Sequence, residues 1–411
     1  MNPPAIGALI IAPFIIWKTA RTLLAYRGDT SPATREYSLR YFTDDDIETG
    51  KRCSRPYYLP GLIGCIIGFG LLYALVFLRL SRVLESAAIR AGGGLIVHTG
   101  AYVLMFAAIR TIVSAPLVYY SGYVLGRRLG RLKQTLGQWL VFNLKGAAVA
   151  LIFTWALFLM FQLLVRAYPR GWWALTGAAL AAVTILIVYL QPVLLAPIFY
   201  KFTRLEEGPL RARLLELCRK AGIEAREVFV QHESSVSTQT NAYFAGLGKT
   251  KRIVLYDNLL NSHPPDEVAA VVAHEAGHWK RRHLLMGLGV SAVMGFAGAY
   301  LLYRLFQVEA AEWLFGAALD ELAALPVLVL LGSLAGALLQ PVESAASRAL
   351  ERQADRSALE LTGDADAFIR VQVRLVRDNK ADLLPHPLLV RLYASHPTAL
   401  QRIDFAEKAR K

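Results

Sequence analysis

Cysteine is scarce in this chain of 411 residues, which has only Cys53, Cys65 and Cys218. Three cysteines cannot all form disulfides, and none shows the CxxC spacing of a cysteine-ligated metal site. Charged residues are also sparse at 18%, whereas hydrophobic residues make up 55%, above the roughly 45–50% of soluble domains. The sequence therefore excludes a disulfide scaffold and argues against a soluble globular protein.

The apolar residues lie in runs long enough to cross a bilayer, which takes about 20 helical residues. The stretch Ala5–Ala25 is marginal, because Lys18 and Arg21 interrupt it. The sequence predicts seven spans if this stretch crosses the membrane and six if it lies on the surface. The other predicted spans are Leu59–Leu78, Leu95–Leu125, Leu144–Val165, Trp172–Ile198, Leu284–Phe306 and Leu322–Val342.

The net charge of +14 would suggest a nucleic-acid partner in a soluble protein. Here the basic residues flank the apolar runs, so membrane topology and anionic lipid explain them better, and no nucleic-acid partner is expected. The loop after Phe306 carries four acidic residues and no Lys or Arg, although Arg79 and Arg166 weaken the contrast. The charge pattern predicts a multi-pass protein of the inner or plasma membrane, if bacterial, with its polar regions facing the cytoplasm.

We divide the chain into membrane helices at 1–199, a polar segment at 200–283, two further spans at 284–343 and a polar C-terminal segment at 344–411. The polar segments are too short to be ordinary separate domains, and two spans lie between them, so we expect them to fold together on one membrane face. In the first polar segment, the patterns predict a helix, a short strand, a hairpin and a second helix. These are Pro209–Ala221, Glu227–Val230, the hairpin Asn241–Ala245 and Arg252–Tyr256 around Gly246–Thr250, and a helix opening at Pro264 and Pro265.

That second helix carries His274-Glu275-Ala276-Gly277-His278. Positions i and i+4 share a helix face, so His274 and His278 can bind one ion. Glu275 can then take a proton from a water that the metal activates, as in H-E-x-x-H metallopeptidases. The motif predicts a hydrolase with one Zn²⁺ ion and Glu275 as the general base.

A catalytic zinc needs a third protein ligand and an open position. The H-x-x-G-x-x-H extension is absent, since position 284 is Leu284. Glu351 and Asp355 lie one turn apart on a predicted helix, so Glu351 can bind zinc while Asp355 accepts an N–H from a ligand histidine. The rival ligands are Glu343 and Glu360.

The sequence resembles the type I CAAX prenyl proteases, which are integral-membrane zinc endopeptidases. The resemblance is closest over residues 197–283 and 347–402, and it supports Glu351 as the third ligand. It rests on these segments: Pro197–Thr203, Leu205–Leu210, Asn241–Phe244, Lys251–Asp257, the H-E-x-x-H segment with His283, Ser347–Asp355 and Ser395–Pro397.

The resemblance implies an all-α polytopic membrane protein, with about seven helices around a large internal chamber and a small α+β zinc-peptidase cap. It implies that Asn241 lies at the substrate cleft and that Asp355 orients a ligand histidine. His396 and Arg402 would stabilise the oxyanion that peptide hydrolysis creates, a task suited to a hydrogen-bond donor and a cation. The expected partners are the lipid bilayer and a peptide or protein substrate, possibly prenylated.

Three alternatives remain open at the sequence level. Because bacteria generally lack protein prenylation, a bacterial chain of this kind could be a quality-control protease for unprenylated polypeptides. A site-2-type protease would hold the motif within a span, but Lys280, Arg281 and Arg282 place it at the membrane edge. A scaffold with a vestigial zinc site is disfavoured by the intact Glu275. The role of His283 is left open between orienting a ligand and lying at the membrane interface.

Overall fold

The computed structural model describes residues 2–224, 227–246 and 252–410. Among them, seven helices are long and apolar enough to cross a membrane, which confirms the predicted class of fold. The marginal first stretch is one of the seven, because it forms a continuous helix from Pro3 to Arg27. Spans 1 to 7 are Pro3–Arg27, Asp44–Val76, Leu95–Arg128, Leu136–Ala167, Trp172–Phe199, His283–Leu305 and Ala324–Thr362.

Shorter helices connect the spans and build the polar regions. They are α1 (Pro32–Ser38), α2 (Leu80–Arg90), α3 (Pro209–Lys220), α4 (Asp257–Ser262), α5 (Pro265–Lys280), α6 (Glu309–Phe315), α7 (Ala365–Asp378), α8 (Pro387–Tyr393) and α9 (Ala399–Ala409).

Local chemistry fixes where several of these helices begin and end. Capping boxes start span 2 at Thr43, span 4 at Thr135 and α9 at Thr398, each satisfying backbone N–H groups that a helix start leaves unpaired. Gly363 ends span 7 in the left-handed conformation, at a φ of 64° that costs a glycine little.

The spans pack mainly against their neighbours in sequence, from span 1 to span 6, and span 7 returns to pack against span 2. The large internal chamber stays a prediction from the resemblance. Span 7 is a single helix of 39 residues that passes through the boundary we placed at 343 and 344. The four-part division of the chain therefore also stays a prediction, and one helix links its last two parts.

The described residues form a four-stranded sheet in the order β1-β2-β4-β3. The predicted hairpin is confirmed, with β3 antiparallel to β4, while residues 247–250 of its glycine loop lie outside the described residues. The sequence analysis missed β1 and the parallel pairing of β2 with β4. The strands are β1 (Phe202–Arg204), β2 (Val228–Gln231), β3 (Ala242–Ala245) and β4 (Arg252–Tyr256).

Both polar segments contribute to one apolar core beside the membrane. Leu214 of α3, Leu255 of β4 and Val272 of α5 are fully buried in it, as is Ile403 of α9, and Phe368 of α7 is almost fully buried there. Burial of apolar side chains contributes about 25 cal/mol per Å², so this shared core stabilises the sheet, α5 and the C-terminal helices as one unit. That unit holds α5 and the end of span 7 side by side.

Candidate metal centre

The helix α5 begins where Pro264 and Pro265 open it, with Asp266 and Glu267 in its first turn. These residues suit a helix N-terminus, because proline needs no N–H partner there and acidic groups favour the positive end of the dipole. A Cβ on Gly277 would lie 2.9 Å from the carbonyl oxygen of Ala354 in span 7. Glycine at this position therefore lets α5 approach span 7 closely.

This approach brings His274 and His278 to Glu351. The Nε2 atom of His274 lies 3.2 Å from Oε2 of Glu351, and Nε2 of His278 lies 3.2 Å from Oε1. The three ligand atoms lie within 4.8 Å of one another. Ligands of a tetrahedral zinc at about 2.0–2.2 Å are separated by roughly 3.3 Å, so the spacing fits one ion.

The buried Oε2 atom of Glu351 has no hydrogen-bond partner among the described residues, although Nε2 of His274 is 3.2 Å away. The two atoms are therefore close together without the geometry of a hydrogen bond. Two ligand atoms of one metal ion would be placed in this way. A buried carboxylate oxygen is costly without a partner. A bound cation would satisfy it, so the donor set fits a metal.

The other side of His274 is held by Asp355, whose Oδ1 lies 2.9 Å from Nδ1 of the ring. Arg402 also approaches Nδ1, at 3.2 Å, but Nδ1 cannot both donate and accept. The shorter contact to a carboxylate favours an Nδ1–H that donates to Asp355, which leaves the Nε2 lone pair for the metal. The cluster therefore fixes the tautomer that a metal ligand needs.

The charges around His274 also favour a cation. Burial and the Arg402 cation lower the pKa of His274, but the neighbouring carboxylates of Asp355 and Glu351 outweigh them and raise this pKa to about 9. The neighbouring carboxylates thus favour a positive charge at this position. A divalent metal is the chemically equivalent occupant.

His278 is oriented by His283, a residue whose role the sequence left open. The Nδ1 atoms of the two rings lie 2.9 Å apart, and Nε2 of His283 lies 3.5 Å from Oε1 of Gln353. An amide oxygen only accepts, so His283 carries its proton on Nε2 and accepts the Nδ1–H of His278. Each ligand histidine therefore has a partner that turns its Nε2 toward Glu351.

Glu275 lies near His274, His278 and Glu351, and its side chain is partly accessible. Burial is the main cause that raises the pKa of Glu275 above its ordinary value. A carboxylate with a raised pKa is a stronger base, and general bases work best near the operating pH. The position and the basicity of Glu275 both suit proton abstraction.

His396 and Arg402 come to the same cluster from the C-terminal segment. Nε2 of His396 lies 3.5 Å from Oε1 of Glu351, and its exposed side chain also contacts Ser395. Desolvation is the main cause that lowers the pKa of His396 below its ordinary value, which favours the neutral ring. Arg402 instead lies behind His274, where its Nε contacts both oxygens of Asp355 at 3.2 and 3.0 Å. Its contacts orient Asp355, and its action on an oxyanion stays a prediction.

Asn241 is exposed and directly precedes the edge strand β3. Its side-chain oxygen accepts from the N–H of Ala242 at 2.9 Å. Its place at a substrate cleft stays a prediction. Among the described residues, the group that could hold a metal ion consists of His274, His278 and Glu351, and neither rival carboxylate belongs to it.

Sequence reasoning missed two contributors to this site. Gly277 could have been recognised only by knowing that a second helix packs on it. Gln353 lies two residues after Glu351, but its contact with His283 depends on the crossing of span 7 and span 6. No pattern in the sequence gives that crossing.

Two protein families match this chain over most of its length. Residues 204–410 match peptidase family M48. Residues 43–201 match a family described as CAAX prenyl protease N-terminal, five membrane helices. The described structure has four of its seven candidate spans within that second range.

Several curated proteins are similar to the chain. The uncharacterized metalloprotease YhfN of Bacillus subtilis is 30% identical over 319 residues, covering 76% of this chain and 74% of that protein. CAAX prenyl protease 1 of Saccharomyces cerevisiae is 31% identical over 327 residues, covering 75% of this chain and 72% of that protein. The crystal structure of S. mikatae Ste24p aligns with a TM-score of 0.88 at 24% identity, covering 99% of each chain, which shows the shared fold.

Proposed function

Since this chain belongs to peptidase family M48, we propose that its metal is one zinc ion held by His274, His278 and Glu351. The chain is a membrane-embedded metalloendopeptidase of the CAAX prenyl protease kind. The single observation that carries the proposed site is the convergence of two Nε2 atoms on one carboxylate, each at 3.2 Å. Two nitrogen ligands and one carboxylate are a common set for catalytic zinc.

When bound, zinc supplies a Lewis acid that lowers the pKa of water to about 7. Glu275 takes the proton of the attacking water and later delivers it to the nitrogen of the leaving amine. Asp355 and His283 keep their ligand histidines in the required tautomers. His396 donates a hydrogen bond to the oxyanion of the tetrahedral intermediate. The positive charge of Arg402, which lies on the far side of His274, stabilises the same oxyanion electrostatically.

The proposed substrate is the C-terminal region of a prenylated protein. Support comes from the printed name of the yeast relative, CAAX prenyl protease 1. The peptide would lie along β3, which follows Asn241 and whose outer edge pairs with no further strand among the described residues. An unprenylated polypeptide, as in membrane-protein quality control, is the alternative substrate class.

The proposed orientation puts the metal centre on the cytoplasmic side of the inner or plasma membrane. The acidic loop between spans 6 and 7 carries Glu309, Glu312, Asp320 and Glu321, while basic residues accumulate in the loops on the side of α5. This placement also puts zinc at the membrane edge, because α5 ends at Lys280 and span 6 begins at His283.

The test uses purified full-length protein with a prenylated and an unprenylated version of one C-terminal peptide. We expect cleavage of the prenylated peptide, its loss with a zinc chelator, and its recovery on adding zinc. Glu275→Gln should retain bound zinc and the thermal midpoint of wild type but cleave nothing. Cleavage of both peptides at equal rates would favour the quality-control alternative, and zinc-independent cleavage would overturn the proposed metal chemistry.

A further inference from the structure

The outer edge of β3 offers only some of its backbone groups to an added strand. The N–H of Tyr256 donates to the carbonyl of Asn241 at 3.0 Å, so the backbone of Asn241 faces β4. In an antiparallel pair, successive residues face opposite sides. The backbone groups of Thr240, Ala242 and Phe244 therefore face away from β4, toward the free edge.

The first of these positions is already taken by a side chain. The N–H of Thr240 donates to Oδ1 of Asn379 at 3.2 Å, and Nδ2 of Asn379 donates to the carbonyl of Thr240 at 3.4 Å. The amide of Asn379 thus makes the two hydrogen bonds that one residue of a paired strand would make. Among the described residues, the carbonyls of Ala242 and Phe244 have no such partner, whereas the N–H of Ala242 already donates to Oδ1 of Asn241 at 2.9 Å.

Asn379 is held firmly in this position. It follows the last residue of α7, and the next residue, Lys380, has a positive φ of 48°. A guanidinium nitrogen of Arg131 donates to the carbonyls of Asn379 and Lys380 at 2.9 and 3.0 Å. The side chain of Lys380 donates in turn to the carbonyl of Leu129 at 2.8 Å. The loop between spans 3 and 4 therefore fixes the Asn379 backbone.

We propose that Asn379 is a specificity-determining residue that stops the substrate strand at Thr240. This inference rests on the proposed function, in which a peptide pairs with β3. The amide occupies the pairing position next to Ala242. An added peptide can therefore pair with the carbonyl of Ala242 and with Phe244, but it cannot continue past Ala242 at this end.

The stop lies at one end of the strand that packs against the metal helix. The ring of Phe244 lies against Trp279, which directly follows His278 in α5, with ring centroids 6.0 Å apart. Pairing positions on one strand edge repeat about every 6.8 Å. The free part of the edge is therefore short, and Asn379 limits how many residues can follow the cleaved bond on its side.

The test measures kcat/KM and cleavage position for a series of peptides that are lengthened one residue at a time on either side of the cleaved bond. For wild type, we expect kcat/KM to fall about tenfold once one side exceeds a fixed length, because the extra residue meets Asn379 and the peptide must give up two backbone hydrogen bonds to fit. Asn379→Ala should remove that fall and spread cleavage over neighbouring bonds. Asn379→Asp keeps the acceptor and the bulk, so it should restore the wild-type limit.

Asn258→Ala is the matched control. The side-chain amide of Asn258 also holds the loop before β3, because it donates to the carbonyls of Ser237 at 3.1 Å and Gln239 at 2.8 Å. Unlike Asn379, it does not bond to Thr240 at the strand edge. We expect this variant to keep the length limit whatever its total activity. The inference is overturned if Asn379→Ala scales kcat/KM equally for all lengths, or if Asn258→Ala removes the limit too. If wild type cleaves no peptide, the proposed function fails instead.

Discussion

A side chain on Gly277 would meet the backbone of Ala354, since an added Cβ would lie 2.9 Å from its carbonyl oxygen and 3.0 Å from its Cα. The same Cβ would lie 2.9 Å from the Cβ of Ser357. Gly277 stands between the two ligand histidines, and Ala354 stands three residues after Glu351. The contact between these two small residues sets how closely the ligands from the two helices approach.

Gly277→Ala should therefore weaken zinc binding and lower stability. Because the clashing atoms belong to backbone, the helices must separate, and overpacking of this kind costs about 1–3 kcal/mol. The measurements are zinc affinity, by competition with a chromophoric chelator, and the thermal midpoint in detergent. Gly287→Ala in span 6 is the control, since a Cβ there meets nothing within 4 Å. Equal zinc affinity in both variants would contradict this account.

The sequence predicted the parts of the site that lie within one helix. Helical spacing alone places His274, Glu275 and His278 together, because positions i and i+4 share a face. Glu351 could not be chosen over Glu343 and Glu360 by spacing, since its selection depends on which turn of span 7 faces α5. The family resemblance supplied that choice.

The fold shows the same division between local and long-range information. The hairpin β3–β4 follows from alternation and a glycine loop, so it was predictable. The parallel pairing of β2 with β4 was not, because it joins strands that β3 separates along the chain, and no local pattern specifies it. The contacts of His283 with His278 and Gln353 likewise depend on the angle between α5 and span 6. Arg282, which lies between these two helices, adopts a positive φ of 57°.

His283→Phe should lower zinc affinity about 10–100-fold, the usual effect of removing a partner that orients a ligand. The phenyl ring cannot accept the Nδ1–H of His278, so the ligand loses its preferred tautomer and orientation. His283→Asn keeps an amide oxygen and should recover part of the affinity. His232→Phe removes a histidine that contacts Thr203 instead, and it should bind zinc like wild type. A His283→Phe protein with unchanged zinc affinity would refute the tautomer assignment.

Arg402→Lys separates two roles for this cation. Arg402 makes a forked contact with both oxygens of Asp355, which a lysine ammonium cannot reproduce. We expect zinc affinity to fall, because Asp355 would hold His274 less firmly. The measurement is kcat at saturating zinc alongside zinc affinity. If affinity is unchanged and kcat alone falls, Arg402 acts on the oxyanion and not through Asp355.

Chelation of zinc should lower the thermal midpoint of the wild-type protein without unfolding it at 25 °C. The ion joins α5 to span 7, so it stabilises the folded state by about 4 kcal/mol when its concentration is 1,000 times its Kd. The raised pKa of His274, to about 9, means that a proton can supply part of the missing positive charge at neutral pH. The metal-free cluster is therefore destabilised but still paired.

The control for chelation is Glu351→Gln, which keeps the shape of the side chain but removes the anionic ligand. Its thermal midpoint should be lower than that of wild type and should not change with chelator, because little zinc is bound to remove. A midpoint of wild type that is insensitive to chelator would show that the ion does not join the two helices. A chelator-sensitive Glu351→Gln protein would show that the metal binds elsewhere, and either result would refute the assignment of Glu351 as the third ligand.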